Sequence, residues 1–350
     1  MKVSTIGSDL AAAVLCGLMT IFAGSLAQGA QGVNIYSYRQ PILVKPVLEA
    51  FTAKTGIATN VVFANEGLIE RIAIEGRNSP ADLLLTRDIG RLSDAVRKGV
   101  SQAVVSEVLE QNIPSQYKDK QGHWFGLTHR GRIVFASRER VAQDTITYEE
   151  LADPKWRGKI CIRPGHHVYN VALVAAMIAH HGEEKTEEWL RGLKANLARK
   201  PAGNDRAQVK GVYASECDLA VGNTYYMALM MLNEKNPEQQ KWAASVKMLY
   251  PNTRDRGVHI ILSGMLLAKH APNEANAVRL MEFLGSDEAQ RIFAQVNHEI
   301  PVKEGVAHSD LVKSWGTYKV DDFALASNAD LRKKASELVE KVAFDDGPES

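Results

Sequence analysis

This chain of 350 residues has few cysteines and almost no net charge, and it lacks the common catalytic motifs. Its three cysteines exclude a disulfide-rich scaffold, and no four closely spaced cysteines and histidines suggest a structural zinc site. The 42 lysines and arginines nearly balance 41 aspartates and glutamates, which leaves a formal net charge of +1. A chain this close to neutral offers no broad basic surface to nucleic acid or anionic lipid, so a charged ligand must be held by a local site.

The sequence also lacks the motifs of common enzyme classes and any long apolar run after its N-terminus. We find no HExxH, no GxSxG, no phosphate-binding P-loop and no GxGxxG in a strand-to-helix context. No segment after the N-terminal one is long and apolar enough to span a membrane. An enzyme is therefore the least supported class of function.

The N-terminus has the composition of an export signal. Lys2 precedes a mostly apolar run over residues 10–26, and Ser25-Leu26-Ala27 supplies small residues at the two positions that a signal peptidase reads. We expect residues 1–27 to be a signal peptide that is removed near Ala27, so that the mature chain is exported. A lipoprotein anchor at Cys16 is the alternative, although the bulky residue before it fits that processing poorly.

The mature chain is long enough, and at 45% hydrophobic apolar enough, to form two domains. Residues 33–36 have the pattern of a strand, apolar positions at helical spacing follow as far as Gly56, and the same alternation recurs along the chain. This pattern predicts an α/β fold with mostly parallel sheets. Two extended segments, 126–137 and 257–267, are expected to cross between two lobes, with the ligand in the cleft that separates them.

Two adjacent phenols are the sharpest chemical feature of the sequence. Tyr225 and Tyr226 follow Asn223-Thr224 at a predicted junction between a strand and a helix. Neighbouring residues on a regular helix point about 100° apart, so two such side chains converge only where the backbone is still turning in from the loop. Tyr169 repeats the arrangement, because it opens a predicted helix after a loop. Three phenolates in one cleft suit a small, hard, highly charged cation, and ferric iron fits best.

An anion could complete the coordination of such a cation only beside basic groups, for which Arg39 and Arg130 are the candidates. The tandem tyrosines also have a simpler interpretation. They precede Met227, Leu229 and Met230, and adjacent aromatic residues in that setting are commonly core side chains with hydrogen-bonded hydroxyls. From the residues alone, both interpretations stay open.

Several segments together resemble the periplasmic ferric-ion-binding proteins of ABC importers, the bacterial transferrins. The segments are Val33-Asn34-Ile35-Tyr36-Ser37-Tyr38-Arg39-Gln40-Pro41, Asn78-Ser79-Pro80-Ala81-Asp82, Asp153-Pro154-Lys155-Trp156-Arg157-Gly158-Lys159, Gly203-Asn204-Asp205-Arg206-Ala207-Gln208 and Asn223-Thr224-Tyr225-Tyr226. The resemblance spans nearly the whole mature chain. It implies a class II periplasmic-binding-protein fold, with two lobes joined by two crossing strands, Fe3+ in the cleft, and delivery to an ABC permease in the inner membrane.

The resemblance also assigns residues to the site. Tyr225 and Tyr226 match the paired tyrosine ligands of the family, and Tyr169 matches the third tyrosine of its carbonate-using branch. Arg130 matches the arginine that holds the synergistic anion. We therefore expect Fe3+ as the solute and carbonate or bicarbonate as its anion.

The chain departs from one branch of the family at two positions. Gln40 stands where that branch has a ligand histidine, and Arg87 stands where it has a ligand glutamate. A site with those two ligands is therefore excluded. We expect Arg87 to lie behind the direct ligands of the metal, where its positive charge favours a bound anion. Tyr38 is a further possible ligand, although we expect it to line the cleft while Arg39 and Gln40 contact the anion.

The lobes are expected to be discontinuous in sequence. Residues 28–130 and about 258–300 would form the N-lobe, and residues 131–257 and about 301–350 the C-lobe. The partners implied are ferric ion and the permease, with no nucleic acid, and we expect a monomer.

Cysteines and histidines near the proposed ligands leave further alternatives. Cys161 and Cys217 each lie eight residues before a proposed tyrosine ligand. They form a disulfide if their strands are neighbours, and are otherwise two buried thiols. His166-His167 are solvated loop residues or metal ligands, and His180-His181 most simply balance charge at the end of a helix.

Two competing functions remain beside iron binding. One is a solute-binding protein for an oxyanion or organic acid without metal, held by Arg39, Arg87 and Arg130. The other is a secreted metal-dependent hydrolase built on His166, His167 and a carboxylate in the cleft.

Overall fold

A computed structural model describes residues 32–321 and 331–348. The predicted signal peptide, its cleavage site near Ala27 and the anchor alternative at Cys16 lie outside these residues. Within them, no helix combines the length and the apolar character that crossing a membrane requires.

The first half of the chain alternates strands and helices as its periodicity predicts. In chain order the elements are β1 (Val33–Ser37), α1 (Pro41–Thr55), β2 (Thr59–Phe63), α2 (Leu68–Glu75), β3 (Leu83–Thr86), α3 (Ile89–Arg97), β4 (Ser101–Gln102), α4 (Glu107–Asn112) and β5 (Phe125–Ser137). Helix α1 buries Val44, Val47, Leu48 and Phe51, which recur at helical spacing, and it ends at Gly56. That glycine has a φ of 72°, a left-handed conformation that glycine adopts without steric cost.

The second half continues the alternation and then returns to the first. Its elements are β6 (Ile160–Cys161), α5 (Val168–His181), α6 (Glu183–Ala195), α7 (Asp205–Tyr213), β7 (Leu219–Asn223), α8 (Tyr225–Met231), α9 (Glu238–Ala244), β8 (Val246–Leu249), β9 (Ile260–Ala268), α10 (Glu274–Leu284), α11 (Asp287–Val296), β10 (Ile300–Pro301), α12 (Asp310–Ser314) and α13 (Arg332–Lys341). Short 3-10 turns cover Gly76–Asn78, Ser115–Tyr117, Glu149–Ala152, Pro154–Trp156 and Phe344–Asp346.

The sheet is mixed, so the expectation of mostly parallel sheets is wrong in this respect. Its main path runs β2-β1-β3-β9-β5-β7-β6, with β4, β8 and β10 on branches. The pairs β1–β2, β1–β3 and β6–β7 are parallel. Strands β5 and β9 run antiparallel to all of their neighbours, because each returns the chain from one lobe to the other instead of following a helical crossover.

Strand β5 passes through both lobes without a break. Its first half pairs with β9 as far as Gly131↔Ile260, and its second half pairs with β7 from Arg132↔Asn223 onward. All thirteen of its residues are buried. The exchange of partners after Gly131 marks the crossing point between the lobes.

The apolar core is divided in the same way. One cluster of buried side chains draws on residues 33–127 and 260–302, and two others draw on residues 133–258 and 335–344. Helix α13 closes the second lobe, since Ala335, Leu338 and Val339 belong to its core. We therefore propose that the lobes divide after residue 130 on β5 and near residue 258 before β9.

A disulfide resolves the alternative at Cys161 and Cys217. Ile160 and Cys161 on β6 pair in parallel with Leu219 and Ala220 on β7, which brings the two cysteines to a Cα–Cα distance of 5.9 Å. The two sulfurs are bonded, across a sequence separation of 56 residues.

Candidate metal centre

The tandem tyrosines lie where β7 turns into α8, directly beside the crossing point of β5. The Thr224 backbone N–H donates to the Gly131 carbonyl oxygen at 3.0 Å, which fixes this junction to β5. The ring centroids of Tyr225 and Tyr226 are 4.2 Å apart and tilted by 34°. Met227 and Met230 of the same helix enter the C-lobe core, whereas neither tyrosine belongs to an apolar cluster of the described residues. Tyr225 is itself buried, with 6% of its surface exposed, as the simpler interpretation also predicts, so burial alone leaves both interpretations open.

Tyr169 lies in the first turn of α5, and His167 caps that helix. The Nδ1 atom of His167 accepts a hydrogen bond from the Tyr169 backbone N–H at 3.2 Å, and the two rings meet edge to face with centroids 4.7 Å apart. Burial, with Arg163 next in effect, lowers the pKa of His167 to about 2, so the ring is neutral and Nδ1 stays free to accept. His166 is exposed. A hydrolase built on this histidine pair has no support, because one ring caps a helix and the other faces solvent.

The hydroxyls of the three tyrosines are close enough to affect one another. Burial raises the pKa of Tyr225 well above its ordinary value, and Tyr169 and Tyr226 raise it further. Burial also raises the pKa of Tyr226 to about 12, with contributions from Asp205 and Tyr169. The structure thus brings together the three tyrosines that the sequence singles out, and it keeps the tandem pair protonated at neutral pH.

Arginine side chains surround the tyrosine cluster. The guanidinium carbons of Arg130, Arg132 and Arg163 lie 5.8, 5.9 and 5.2 Å from the centroid of the Tyr169 ring. The Arg130 carbon lies 5.8 Å from the Tyr225 ring as well. Such positions favour anionic phenolate over neutral phenol once a cation binds, and they create a local excess of positive charge in an otherwise neutral protein.

Asp205 fixes two of these arginines from the side of the C-lobe. Its carboxylate accepts from Arg132 Nη1 at 3.0 Å and from Arg163 Nη1 at 2.9 Å, and also from the Asn223 backbone N–H at 2.9 Å. Arg132 Nη2 donates to the Asn170 side-chain oxygen at 2.6 Å. The sequence analysis missed this network, although Asp205 lies inside one of the segments that carry the family resemblance.

Arg130 reaches the cluster from the N-lobe end of β5. Its Nη1 donates to the Ser263 hydroxyl and its Nη2 donates to the Arg87 carbonyl oxygen at 2.9 Å. Each Nη atom carries a second N–H group, and the guanidinium carbon lies 5.8 Å from the centroids of both the Tyr169 and the Tyr225 rings. Two parallel donors of this kind are the geometry with which arginine binds a planar oxyanion.

Arg39 is placed differently from the expectation that it contacts an anion. Its two Nη atoms donate to Thr128 at 3.5 Å, to Ser263, and to both oxygens of Glu299 at 3.1 and 2.9 Å. These contacts engage all four terminal N–H groups, and the side chain is only 2% exposed. Gln40, the other predicted contact, is exposed at the start of α1 and makes no side-chain capping bond there.

Tyr38 and Arg87 complete the predicted residues. The Tyr38 hydroxyl accepts from the Ile69 backbone N–H at 3.0 Å, and the Arg91 guanidinium covers its ring at 4.4 Å. It is thus bound to the start of α2, away from the tandem pair. Burial lowers the pKa of Arg87, while Tyr169 acts in the opposite direction, so Arg87 lies within electrostatic reach of the tyrosines.

An ion pair links the two lobes beside the site. Asp88 caps the N-terminus of α3 in the N-lobe, and its carboxylate binds Arg332 of α13 as well as Arg91. The Asp88 side chain is 2% exposed and that of Arg332 is 18% exposed. A contact this well shielded between α3 and α13 favours an arrangement in which the lobes are closed.

Among the described residues, no three histidine, cysteine, aspartate or glutamate side chains are grouped so that they could hold a metal ion.

Comparison with known proteins agrees with this geometry. Residues 78–324 match the family model described as bacterial extracellular solute-binding protein. Iron uptake protein A1 of Synechocystis is 43% identical over 297 residues, which cover 84% of this chain and 82% of that protein. The apo ferric ion-binding protein A of Pasteurella haemolytica is 47% identical with a TM-score of 0.86, covering 90% of this chain and 99% of the other.

A protein of Trichodesmium solved in complex with iron and citrate is 38% identical with a TM-score of 0.84, covering 89% of this chain and 99% of the other. These comparisons confirm the resemblance and the two-lobed α/β fold, and they place the chain among binding proteins instead of enzymes. The chain belongs to the bacterial extracellular solute-binding protein family.

Proposed function

We propose that this protein captures Fe3+ outside the cytoplasm through Tyr169, Tyr225 and Tyr226. The observation that carries the proposal is that tyrosine rings from two helix starts share one arginine: the Arg130 guanidinium carbon lies 5.8 Å from the centroids of both the Tyr169 and the Tyr225 rings, and the Tyr226 ring lies 4.2 Å from that of Tyr225. The printed names of the relatives, which include iron uptake and ferric ion-binding proteins, support it.

The donor set explains a preference for a trivalent ion. Burial holds the pKa of Tyr225 and Tyr226 high, so a weak Lewis acid cannot remove their protons at neutral pH. Ferric iron is hard and highly charged, and its own field offsets the cost of ionising a buried phenol. Three phenolates neutralise the ion. Divalent ions, which polarise a phenol less, are expected to bind far more weakly.

The arginines call for an additional anion. Once three phenolates balance the ion, the positive charge of Arg130 remains uncompensated on the tyrosine side of the site. We propose that carbonate or bicarbonate binds to the two remaining N–H groups of Arg130 and completes the coordination of the iron, with Arg87 in a second layer. Citrate is the competing anion, because the Trichodesmium relative was solved with iron and citrate.

Delivery follows from the class of protein. We propose that the mature chain works as a monomer in the periplasm, after removal of a signal peptide near Ala27, and passes its iron to an ABC permease. Tyr38 is not part of the proposed coordination, since its hydroxyl is already hydrogen-bonded to the backbone of Ile69.

A visible spectrum tests the proposal. Apo protein titrated with ferric citrate should become coloured through charge transfer from tyrosinate to iron, and Tyr226→Phe should weaken both the colour and the affinity. Tyr213→Phe is the matched control, because Tyr213 is 44% exposed and lies at the end of α7. Wild-type protein that stays colourless at saturating iron would refute iron capture by these tyrosines.

One observation favours a second candidate, a solute-binding protein for an anion without metal. Arg130, Arg132 and Arg163 are buried around the cleft and could hold a carboxylate or oxyanion directly. Titration calorimetry with citrate and with bicarbonate, each in the absence of metal, separates the two functions. Binding as tight without iron as with it would favour this candidate.

A further inference from the structure

A buried carboxylate lies directly behind the arginine of the iron site. Antiparallel pairing of β10 with β5 sets Ile300 opposite His129, and one step along this register brings Glu299 opposite Arg130. Glu299 is 2% exposed, and its Oε1 atom is 3.8 Å from Arg130 Nε. It belongs to none of the sequence segments that predict the site, and it contacts none of the three tyrosines.

Three further polar side chains share this face of the sheet. Thr128 and Arg130 alternate with His129 on β5, and Ser263 lies opposite Thr128 in the pairing of β5 with β9. The Thr128 hydroxyl donates to Glu299 Oε2. Arg39 closes the group with its two-pronged hydrogen bond to Glu299, at 3.1 and 2.9 Å. All five side chains of this N-lobe cluster, Arg39, Thr128, Arg130, Ser263 and Glu299, are buried.

The cluster brings two positive charges together. The Ser263 hydroxyl oxygen accepts hydrogen bonds from Arg39 Nη1 and from Arg130 Nη1, so the two guanidinium groups converge on a single atom. Like charges at this separation in a dry interior repel strongly. The Glu299 carboxylate is the anionic group that contacts both of them. Burial raises the pKa of Glu299, but the charges of Arg39 and Arg130 outweigh this effect, so the pKa is below its ordinary value and the carboxylate stays ionised.

We propose that Glu299 is a positioning residue for the iron site. Its carboxylate compensates Arg39 and holds Arg130 on the N-lobe face, where the Arg130 guanidinium carbon lies 5.8 Å from the centroids of both the Tyr169 and the Tyr225 rings. Arg39 thus acts on the anion indirectly, through Glu299 and Ser263, instead of touching it. This inference rests on the proposed function and adds a residue to it.

The charge on Glu299 has a definite consequence for the anion. Without it, Arg130 is repelled by Arg39 and loses its orientation, while Tyr225 and Tyr226 are untouched on the opposite lobe. Binding of the anion at Arg130 should therefore weaken, whereas coordination of the metal by Tyr225 and Tyr226 should persist. A residue needed only for folding would weaken both halves together.

The experiment compares Glu299→Gln with Asp82→Asn. The glutamine keeps the size of the side chain and removes its charge. Asp82 is an equally buried N-lobe carboxylate that binds Asn34 and Asn273 but no arginine, so its variant controls for the loss of a buried charge. Iron affinity is measured by competition with a chelator, at bicarbonate concentrations from micromolar to tens of millimolar, and the series is repeated with citrate.

For the Glu299→Gln variant, the anion concentration that gives half of the maximal increase in iron affinity is expected to be about 10- to 100-fold higher than for the wild type. This range is typical of residues that orient metal-site groups. Asp82→Asn should keep the wild-type midpoint. The charge-transfer band should persist in both variants at high anion concentration. In the background of Arg130→Gln, adding Glu299→Gln should cause no further loss of iron affinity, because Glu299 acts through Arg130.

Three results would overturn the inference. They are a wild-type anion midpoint in Glu299→Gln, a loss that adds in full to that of Arg130→Gln, and an iron affinity of wild-type protein that responds to neither anion. A wild-type protein that binds no iron would instead refute the proposed function itself. If Glu299→Gln does not fold, Ser263→Ala removes the oxygen shared by the two arginines, and the same shift is expected; a wild-type midpoint in that variant overturns the inference.

Discussion

Replacing Tyr226 by phenylalanine is expected to remove one proton from those released when iron binds. Burial raises the pKa of the Tyr226 hydroxyl to about 12, with Asp205 as the next cause, and the pKa of Tyr225 is raised well above its ordinary value. Both phenols are therefore protonated in iron-free protein at neutral pH. A metal that binds them as phenolates must release those protons, so its affinity increases as the pH rises.

The size of this effect follows from the number of phenols. Each phenol that is protonated before binding and ionised afterwards makes log K for iron rise by about one per pH unit, as long as the pH is below its pKa. Between pH 6 and 8, log K for the Tyr226→Phe variant should therefore rise less steeply than that of the wild type by about one per pH unit. The sign is fixed, since a raised pKa means that protons compete with iron more strongly as the pH falls.

Competition against one chelator at several pH values measures this difference. The protonation of the chelator and of the anion affects both proteins equally, so the difference between the two slopes depends on the protein alone. Tyr213→Phe, whose side chain is exposed on α7, should give the wild-type slope. Equal slopes for wild type and Tyr226→Phe would show that Tyr226 does not bind iron as a phenolate, whatever the effect of the variant on affinity.

Three further predictions concern the lobes, the disulfide and acid stability. Arg332→Ala removes the half-buried partner of Asp88 between the lobes, so iron should pass to a chelator about tenfold faster. Stopped-flow loss of the visible band measures this rate. An unchanged rate would show that this ion pair does not hold the lobes closed. Replacing Cys161 and Cys217 by serine should lower the free energy of unfolding by about 4 kcal/mol, because the disulfide closes a loop across 56 residues. Urea unfolding checks it, and a loss below about 1 kcal/mol would contradict the loop argument. Burial lowers the pKa of His259 to about 4, so between its unfolded pKa of about 6.5 and pH 4 the unfolded chain binds a proton that the folded chain does not. Stability should fall by about 3 kcal/mol as the pH drops through this window, and His259→Gln should lessen the fall in urea titrations at pH 7 and 4.5.

Local features of the fold could be predicted from the sequence where one element determines them. Helix α1 follows from the spacing of its apolar residues and from Gly56, which stops it. The meeting of Tyr225 and Tyr226 follows from their position at the start of a helix, and the ring separation of 4.2 Å agrees with that argument. The direction of β5 and β9 could not be predicted in this way, because an extended apolar segment carries no sign of whether its neighbour is parallel.

Contacts between distant segments account for most of what the sequence could not show. Arg39 is two residues beyond β1, and nothing near it indicates that Glu299, 260 positions away, would engage its side chain. The contacts of Asp205 were missed for the same reason. Asp205 begins α7, whereas its partners lie on β5 (Arg132) and just after β6 (Arg163). The disulfide forms because β6 and β7 are neighbouring strands. The spacing of the cysteines in the sequence does not show this pairing, so it left both a disulfide and two free thiols open.

The continuous strand β5 links the positions of Arg130 and Arg132 to any movement between the lobes. Arg130 and Arg132 stand on either side of Gly131, where the strand exchanges one lobe for the other, and both guanidinium groups lie within 6 Å of the Tyr169 ring. Because β5 is one of the two strands that cross between the lobes, a movement that opens the lobes would also turn these residues and withdraw Arg130 from Tyr225. A permease that pulls the lobes apart would then loosen the anion and the metal together.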